Sequence, residues 1–436
     1  MNPSPTPMPL TSATPTPVAA PAASLTTPAT PRPLPWPQRL ARQLLLARLG
    51  DVTEGVVRVR DADGERRLGR ATAGFPVDVT IEVLDPRAYV DAVLGGTLGI
   101  GEAYMAGAWR CDDLTGLIRL MVRNRAVMQG LERGLATATA PLRRAHALLT
   151  RNTRAGSRRN IAAHYDLGDD FFRLFLDDSL TYSCALYERP GMSLGDAQVA
   201  KYDKICRQLR LGPADHVVEI GTGWGGFAIH AASRYGCRVT TTTISRRQHA
   251  EATRRVAARG LADRVEVRFD DYRDLRGTYD KLVSIEMIEA VGREHFDAYF
   301  GAIERLLRPD GEALIQAILI SDQDFAQAAA ETDFLKRHIF PGSCIPSVTA
   351  LLDAATRSSD LRLRALDDLT PHYATTLDAW RRRLLDRRTE ARALGFDDVT
   401  LRAWDYYLAY CEGGFRERYI GVSHLHLVRP GWRDPA

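Results

Sequence analysis

Cysteine is scarce in this chain, and what there is lies scattered. Cys111, Cys184, Cys206, Cys237, Cys344 and Cys411 fall among 436 residues without a Cys-x-x-Cys pair. That spacing argues against a zinc site or a disulfide framework, so no metal is expected and a reducing cytoplasm is the default compartment. Long apolar runs are missing as well. None approaches the roughly 18–20 residues that span a bilayer, so any work on lipid has to be done from the surface. Net charge is only +4, which by itself implies no partner. No Lys or Arg precedes Arg32, so the basic start of a signal peptide is absent.

What the chain has in plenty comes early. Residues 1–37 hold twelve of its 23 prolines among Thr, Ser and Ala. Such a segment cannot bury enough apolar surface to offset its ordering entropy, and is expected to be disordered. The length of the chain exceeds one ordinary core, so two domains, or one large domain with extensions, are expected. Residues 38–140 read as a small mixed accessory domain that could face lipid. Leu40 to Leu49 has helical spacing, Val56 to Val59 and Val77 to Val83 alternate like strands, and Asp85-Pro86 opens a helix at Arg87 to Leu94. Gly95 to Gly101 is too glycine-rich for regular structure until Glu102. A basic linker follows at 141–160, where Arg143, Arg144, Arg151, Arg154, Arg158 and Arg159 stand without an acid between them. A charge run is most often a solvated face. Six arginines could also read anionic headgroups, at about 1 kcal/mol each near a charged surface. No aromatic-interleaved basic motif supports nucleic acid as the partner.

The stretch that organises the rest is Val217-Val218-Glu219-Ile220-Gly221-Thr222-Gly223-Trp224-Gly225-Gly226. An apolar strand enters a glycine-rich turn, and Phe227 to Arg234 reads as the helix behind it. The glycines allow a tight turn and a close ligand, and the helix start offers free N–H groups. Gly221-x-Gly223-x-x-Gly226 also fits a dinucleotide fingerprint. That site wants an acid at the end of the second strand, whereas Arg238 to Thr243 runs into Thr-Ile-Ser and the acids Asp270 and Asp271 come one strand later. With Glu219 placed to accept from a ligand's ammonium group, the layout resembles the S-adenosylmethionine site of class I methyltransferases.

The remaining pattern fits a doubly wound α/β sheet across residues 161–430. The helix Arg246 to Arg259 precedes a strand at Val265 to Phe269. Asp280 to Ile285 is the fourth strand, Arg293 to Leu307 a helix, Arg308 to Gly311 a turn and Ala313 to Ile320 the fifth strand. Ser321 to Pro346 is an insertion with a helix at Asp324 to Arg337. Leu361 to Leu366 and Ser423 to Val428 close the sheet, beside helices near Leu377 to Ala393 and Val399 to Arg418. Insertions after the fifth strand suit a substrate cover, because ligands sit at the carboxyl ends of the strands. Upstream, Asn160 to Phe172 and Leu180 to Tyr187 are dense in aromatics. They read either as a flap over the ligand or as plain core packing.

Those two stretches, the Val-Glu-Ile-Gly-x-Gly-Trp-Gly turn, Asp271-Tyr272-Arg273-Asp274 and Ile339-Phe340-Pro341-Gly342-Ser343-Cys344-Ile345-Pro346-Ser347 together resemble the cyclopropane fatty acid synthase family, which includes the mycolic acid methyltransferases. The likeness covers about residues 75–428 and implies a seven-stranded class I methyltransferase sheet. It implies methyl transfer from S-adenosylmethionine to a cis double bond in a phospholipid's acyl chain. An alkene is a feeble nucleophile, so the site must hold the sulfonium methyl in line with the π cloud and exclude water. The carbocation that results must then lose a proton to a base. In this family the base is a bicarbonate ion, and by motif its set here is Cys184, Glu289, Tyr373 and the backbone at Ile318, with Gln316 at the remaining place. Cys411 matches another family cysteine. A thiol nucleophile has no task in this chemistry, so Cys411 is read as positional. The cofactor contacts carried over are Tyr182, Ser183, Glu219, Gly221, Gly223, Trp224, Gly225, Thr243, Ile244, Ser245, Gln248, Asp270 and Asp271. For Asp271 a capping role is the plain alternative.

Two departures stand out. The family's His-Thr-Ile is Gln316-Ala317-Ile318 here, and its small residue followed by Glu-His is Glu286 followed by Glu289-Ala290. Glutamine can hydrogen-bond bicarbonate but cannot share its proton. A second carboxylate one helical turn before Glu289, if the loop is helical, would raise one of the two pKa values. The substitutions resemble an actinobacterial branch that makes methylene-branched chains. They imply a peripheral membrane enzyme acting on phospholipid acyl chains at the inner, anionic face, giving a methylene-branched or a cyclopropane product. A reductase partner and a homodimer stay open. The alternatives are a methyltransferase for a soluble small molecule and an inactive lipid-binding module.

Overall fold

The first strands show why the N-terminal part folds at all. β1 (Gly55–Asp61) buries Val56, Val57 and Val59, and β2 (Gly64–Arg70) returns beside it on the solvent side. β3 (Asp78–Val83) runs parallel to β1, and β4 (Trp109–Cys111) completes a four-stranded sheet of order β2-β1-β3-β4. The structure, a computed structural model, describes residues 34–132 and 167–434. The proline-rich tail up to residue 33, the arginine-rich segment and the start of the aromatic stretch therefore lie outside the described residues. Trp36 and Pro37 already belong to the helix Trp36–Leu49, since proline is tolerated in a first helical turn.

One expectation fails here. The glycine-rich run from Gly95 is helical, because the helix that begins at Arg87 continues to Met105 with a kink at Gly96 (φ 60°, ψ −142°). Small residues serve close packing at this place. A Cβ on Gly101 would lie 2.5 Å from the Phe334 ring and 3.0 Å from that of Tyr406. Glycine thus lets this helix sit against the cover of the larger sheet.

That sheet carries the site. β5 (His216–Ile220), β6 (Arg238–Thr242), β7 (Val265–Arg268), β8 (Tyr279–Ile285) and β9 (Leu307–Ile320) are parallel, with β11 (Ile420–Val428) antiparallel to β9 and β10 (Arg362–Asp368) antiparallel to β11. The order β10-β11-β9-β8-β5-β6-β7 is a doubly wound, seven-stranded sheet, as expected. Val217, Val218 and Ile220 are fully buried from both faces, which is why the run reads as continuously apolar. Arg308 to Gly311 is not a free turn. The four residues bulge from β9 between the pairs Tyr279–Leu307 and Lys281–Glu312.

The insertion after β9 forms two helices, Asp322–Ala330 and Phe334–His338, where one was expected. Asp333 caps the second by accepting from the Lys336 N–H at 2.9 Å, and so divides them. Likewise Thr370–Asp386 and Arg388–Ala393 are separate helices. Helix Asp398–Arg416 packs between Thr370–Asp386 and the small sheet's helix Leu114–Arg123. Among the described residues no helix is long and apolar enough to cross a membrane.

Candidate active site

The carboxyl ends of β5, β6, β8 and β9 open into a cavity of about 320 Å³ under the helices Thr370–Asp386 and Asp398–Arg416. Glu219, 2% exposed, stands at its floor and accepts from the Thr241 hydroxyl at 2.6 Å. Burial pushes its carboxyl up to about 8. A cationic ligand group would add to the counter-charge of Lys201, which already draws this carboxyl down against its burial. Gly221 follows with φ 101°, a backbone angle that a side chain resists, and nothing lies within 4 Å of a Cβ built on Gly223. This is an open cradle beside a buried carboxylate, and it fits the ammonium and sulfonium charges of S-adenosylmethionine.

Most expected cofactor residues meet here. Tyr182, Ser183, Glu219, Gly221, Gly223, Trp224, Thr243, Ile244, Gln248, Asp270 and Asp271 all line the cavity. Gly225 and Ser245 do not. Gly225 is the left-handed residue before helix Gly226–Tyr235, and Ser245 caps helix Arg246–Ala258 through the Gln248 N–H at 3.4 Å. Asp271 is held by Arg273 in two contacts of 2.8 and 2.6 Å and also caps the short turn after it. Phe171 and Phe172 have no exposure and pack, with Phe175 beyond them, around Trp404, so this part of the aromatic stretch is core and not a flap. Among the described residues of these stretches, Tyr182 is the ring that lines the cavity, with its hydroxyl 2.8 Å from that of Tyr407.

At the other end of the cavity lie two carboxylates. Glu286 leaves β8 with φ 48°, so it is not part of a helical turn with Glu289, which sits in the short turn Ile288–Ala290. Glu286 Oε1 accepts from the Cys184 N–H at 2.9 Å and from Gln316 Nε2 at 2.7 Å, and its Oε2 accepts from the Tyr373 hydroxyl at 2.6 Å. Glu289 Oε1 accepts from the Ile318 N–H at 2.5 Å, and its buried Oε2 has no hydrogen-bond partner. Burial first, then the charge of Glu286, pushes Glu289 up to about 8. Burial raises Glu286 as well, while its donors pull it back. The expected mutual effect of two close acids is present although the helical spacing is not. The Cys184 sulfur points to the Ala185 carbonyl at 3.2 Å, away from the cavity, and Gln316 is fully buried behind Glu286. Cys411 lines the cavity, but burial raises both its thiol and that of Cys184, which keeps both protonated.

Comparison with known proteins decides the ancestry of this arrangement. The family model described as mycolic acid cyclopropane synthetase matches residues 152–425. The chain belongs to that family. As a mycolic acid cyclopropane synthetase family member it is 40% identical over 343 residues to the tuberculostearic acid methyltransferase UfaA1 of Mycobacterium tuberculosis, across 77% of this chain and 80% of that one. It is 34% identical to the cyclopropane-fatty-acyl-phospholipid synthase of Escherichia coli, across 83% of this chain and 91% of that protein. Among solved structures, the cyclopropane synthase MmaA2 of Mycobacterium tuberculosis superposes with a TM-score of 0.58 at 31% identity, covering 62% of this chain and 98% of that one. Mycolic acid cyclopropane synthase CmaA1, solved with SAH and CTAB, gives 0.58 at 34%, covering 62% and 98%. The class I methyltransferase fold expected from the sequence is thereby shown.

Within the family frame, the set that the resemblance assigns to bicarbonate does not fit a free ion here. Of its donors, the Cys184 N–H, Gln316 and Tyr373 go to Glu286, and the Ile318 N–H goes to Glu289. Several residues of this site escaped the sequence reading. Lys201 is fully buried, donates to Ser183 Oγ at 2.6 Å, and is pushed down to about 8 by burial. His424 is buried with Nε2 at 2.9 Å from Gln316 Oε1, and burial, pushing it down to about 3, holds it neutral. The usable signal for Lys201 was its position among Leu194, Ala197, Gln198, Tyr202 and Ile205 on the buried face of helix Leu194–Gln208.

Proposed function

We propose that this protein is an S-adenosylmethionine-dependent C-methyltransferase acting on the cis double bond of unsaturated acyl chains in phospholipids, and that it forms a methylene-branched product. The observation that carries the reading is one continuous cavity. It joins the glycine cradle at Gly221 to the Glu286–Glu289 pair, and its wall between them is apolar, with Met287, Ile318, Leu335, Phe340, Leu377 and Phe415. An acyl chain loses little by leaving a bilayer for such a wall, because the roughly 0.8 kcal/mol per buried CH₂ is available in both places. Relatives named for tuberculostearic acid methyl transfer and for cyclopropane formation on fatty acyl phospholipid support the substrate class.

Glu286 and Gln316 favour the methylene branch. Both stand where the family pattern has other residues, and so the base differs from the one that closes the ring. A hydride shift before proton loss then places the double bond outside the chain. A saturated methyl branch would further need a reductase partner. Helix Trp36–Leu49 turns Trp36, Leu40 and Leu44 outward on one face, 70%, 47% and 44% exposed, which supports peripheral contact with a lipid surface. The test is to express the chain in a host rich in monounsaturated phospholipid and analyse the extracted lipid by proton NMR. Vinylidene protons are expected. Upfield ring protons as the dominant signal would reject the methylene branch, and unmodified lipid from an expressed, cofactor-binding protein would favour a soluble substrate.

A further inference from the structure

We propose that Glu286 is this enzyme's own general base, a carboxylate built into the chain in the place of a free bicarbonate ion. The inference rests on the acyl-methyltransferase reading above and deepens it. Its ground is how the donors are shared. Three groups from three separate elements converge on one side chain: the Cys184 N–H from the segment before helix Leu194–Gln208, Gln316 from β9 and Tyr373 from helix Thr370–Asp386. Such convergence is how a protein cradles an anion, and here the anion is covalently attached. Glu286 is also one of few non-glycine residues with positive φ, at 48°. A backbone held in that region marks a position the surroundings over-determine. Behind it, His424 faces Gln316 Oε1, so the amide has to present its NH₂ to the carboxylate.

The arrangement leaves the base able to work. A carboxylate has about four lone-pair sites, and three here are engaged, so one remains on a residue that lines the cavity. The three donors favour the ionised form, while Glu289, with one donor and a charge beside it, is the member of the pair pushed to hold a proton.

The chemistry balances without a further reagent. The alkene's π pair forms the new carbon–carbon bond to the sulfonium methyl as the methyl–sulfur bond breaks, and that bond's electrons stay on sulfur. A C–H bond of the resulting cation then breaks. Its proton passes to Glu286, and its electron pair forms the ring bond or, once a hydride has shifted from the methyl-bearing carbon to the cationic one, the exocyclic double bond. After product leaves, the proton returns to water.

The experiment uses the full chain, S-adenosylmethionine and vesicles of a monounsaturated phospholipid, in buffer stripped of carbon dioxide and then supplemented with bicarbonate. The natural protein is expected to turn over equally in both. Glu286→Gln, which keeps the shape and removes the basic oxygen, should lose about 10²–10⁴-fold. Glu286→Ala should be inactive until bicarbonate or formate is added, and then recover in part. A readout independent of turnover is NMR of isotope-labelled bicarbonate, which should bind to Glu286→Ala and not to the natural protein. Full activity in Glu286→Gln, or a natural protein that binds or requires bicarbonate, would overturn the proposal. If the natural protein methylates no acyl lipid, the functional reading falls instead, and the labelled-bicarbonate contrast still decides whether Glu286 fills the anion cradle.

Discussion

Removing one hydroxyl tests the charge state of the site with little damage to its packing. Tyr373 donates to Glu286 at 2.6 Å, and its ring packs 4.5 Å from Phe415 and 6.1 Å from Trp380, so Tyr373→Phe keeps the aromatic contacts and deletes one bond. A hydrogen bond to a charged group contributes about 1.5–3 kcal/mol, which at 1.4 kcal/mol per decade is roughly a 10- to 150-fold change in the carboxyl's acid constant. The sign follows from what the hydroxyl does. It stabilises the ionised form, so its loss moves Glu286 further in the direction that burial already pushes it, upward. Glu289, Lys201 and Cys184 face the same group and stay in place. An ionised carboxylate also steadies the cation as it forms, so the methyl-transfer step itself should feel the change. The expected result is a pH–rate profile whose acid limb moves to higher pH, with a loss at neutrality that recovers in alkali. A uniform drop at every pH would mean that Tyr373 only supports the fold, and an unmoved profile would refute the assignment of Glu286 as base.

Two further outcomes follow from buried charge and backbone. Glu219 and Glu289, raised to about 8, hold protons in the ligand-free folded state that the unfolded chain, near 4.5, has released, so stability falls as pH rises through the window below 8. Buried histidines such as His424 act oppositely below 6.5, so the fall should be read between pH 6.5 and 8, at up to about 1.4 kcal/mol per pH unit for each acid. Thermal melts should show it, and Glu219→Gln should flatten the slope; a flat natural profile contradicts it. Gly221→Val places a branched side chain at φ 101° with its Cβ 3.3 Å from Met287, and should cost S-adenosylmethionine about tenfold or more in affinity by calorimetry. Unchanged affinity would remove Gly221 from the site.

Much of this molecule can be read from its residues, for reasons that differ by region. The continuous apolar strand before Gly221 and the residue types after each strand specify a buried, doubly wound sheet, so its class was legible, while the strand order is seen only in the fold. The helix through Gly95 and Gly96 was not, because it continues to Gly101, whose lack of a side chain answers to Phe334 and Tyr406, more than two hundred positions away. The division of the insertion at Asp333 turned on a cap that is visible only once the chain has folded. At the site, the family resemblance pointed to Glu289, Ile318 and Tyr373, while the place of Glu286 depended on a positive φ that no residue type announces. Lys201 and His424 act through buried neighbours, and neither carries a motif.

Helix Asp398–Arg416 is shared property. One face walls the cavity with Tyr407, Cys411 and Phe415. The other is bolted to the small N-terminal part: Tyr104 donates to Asp405 at 2.6 Å, Thr115 to Glu412 at 2.9 Å, and Arg119 pairs with Glu417 at 2.7 Å. Shorter structural relatives match only 62% of this chain, so the family's catalytic half can exist at a smaller size. In this protein the two halves are no longer modular. A cut ahead of β5 would leave Glu417 without Arg119 and Arg123, take one donor each from Asp405 and Glu412, and loosen the wall that the substrate leans on, so a chain trimmed to its chemistry is expected to lose stability.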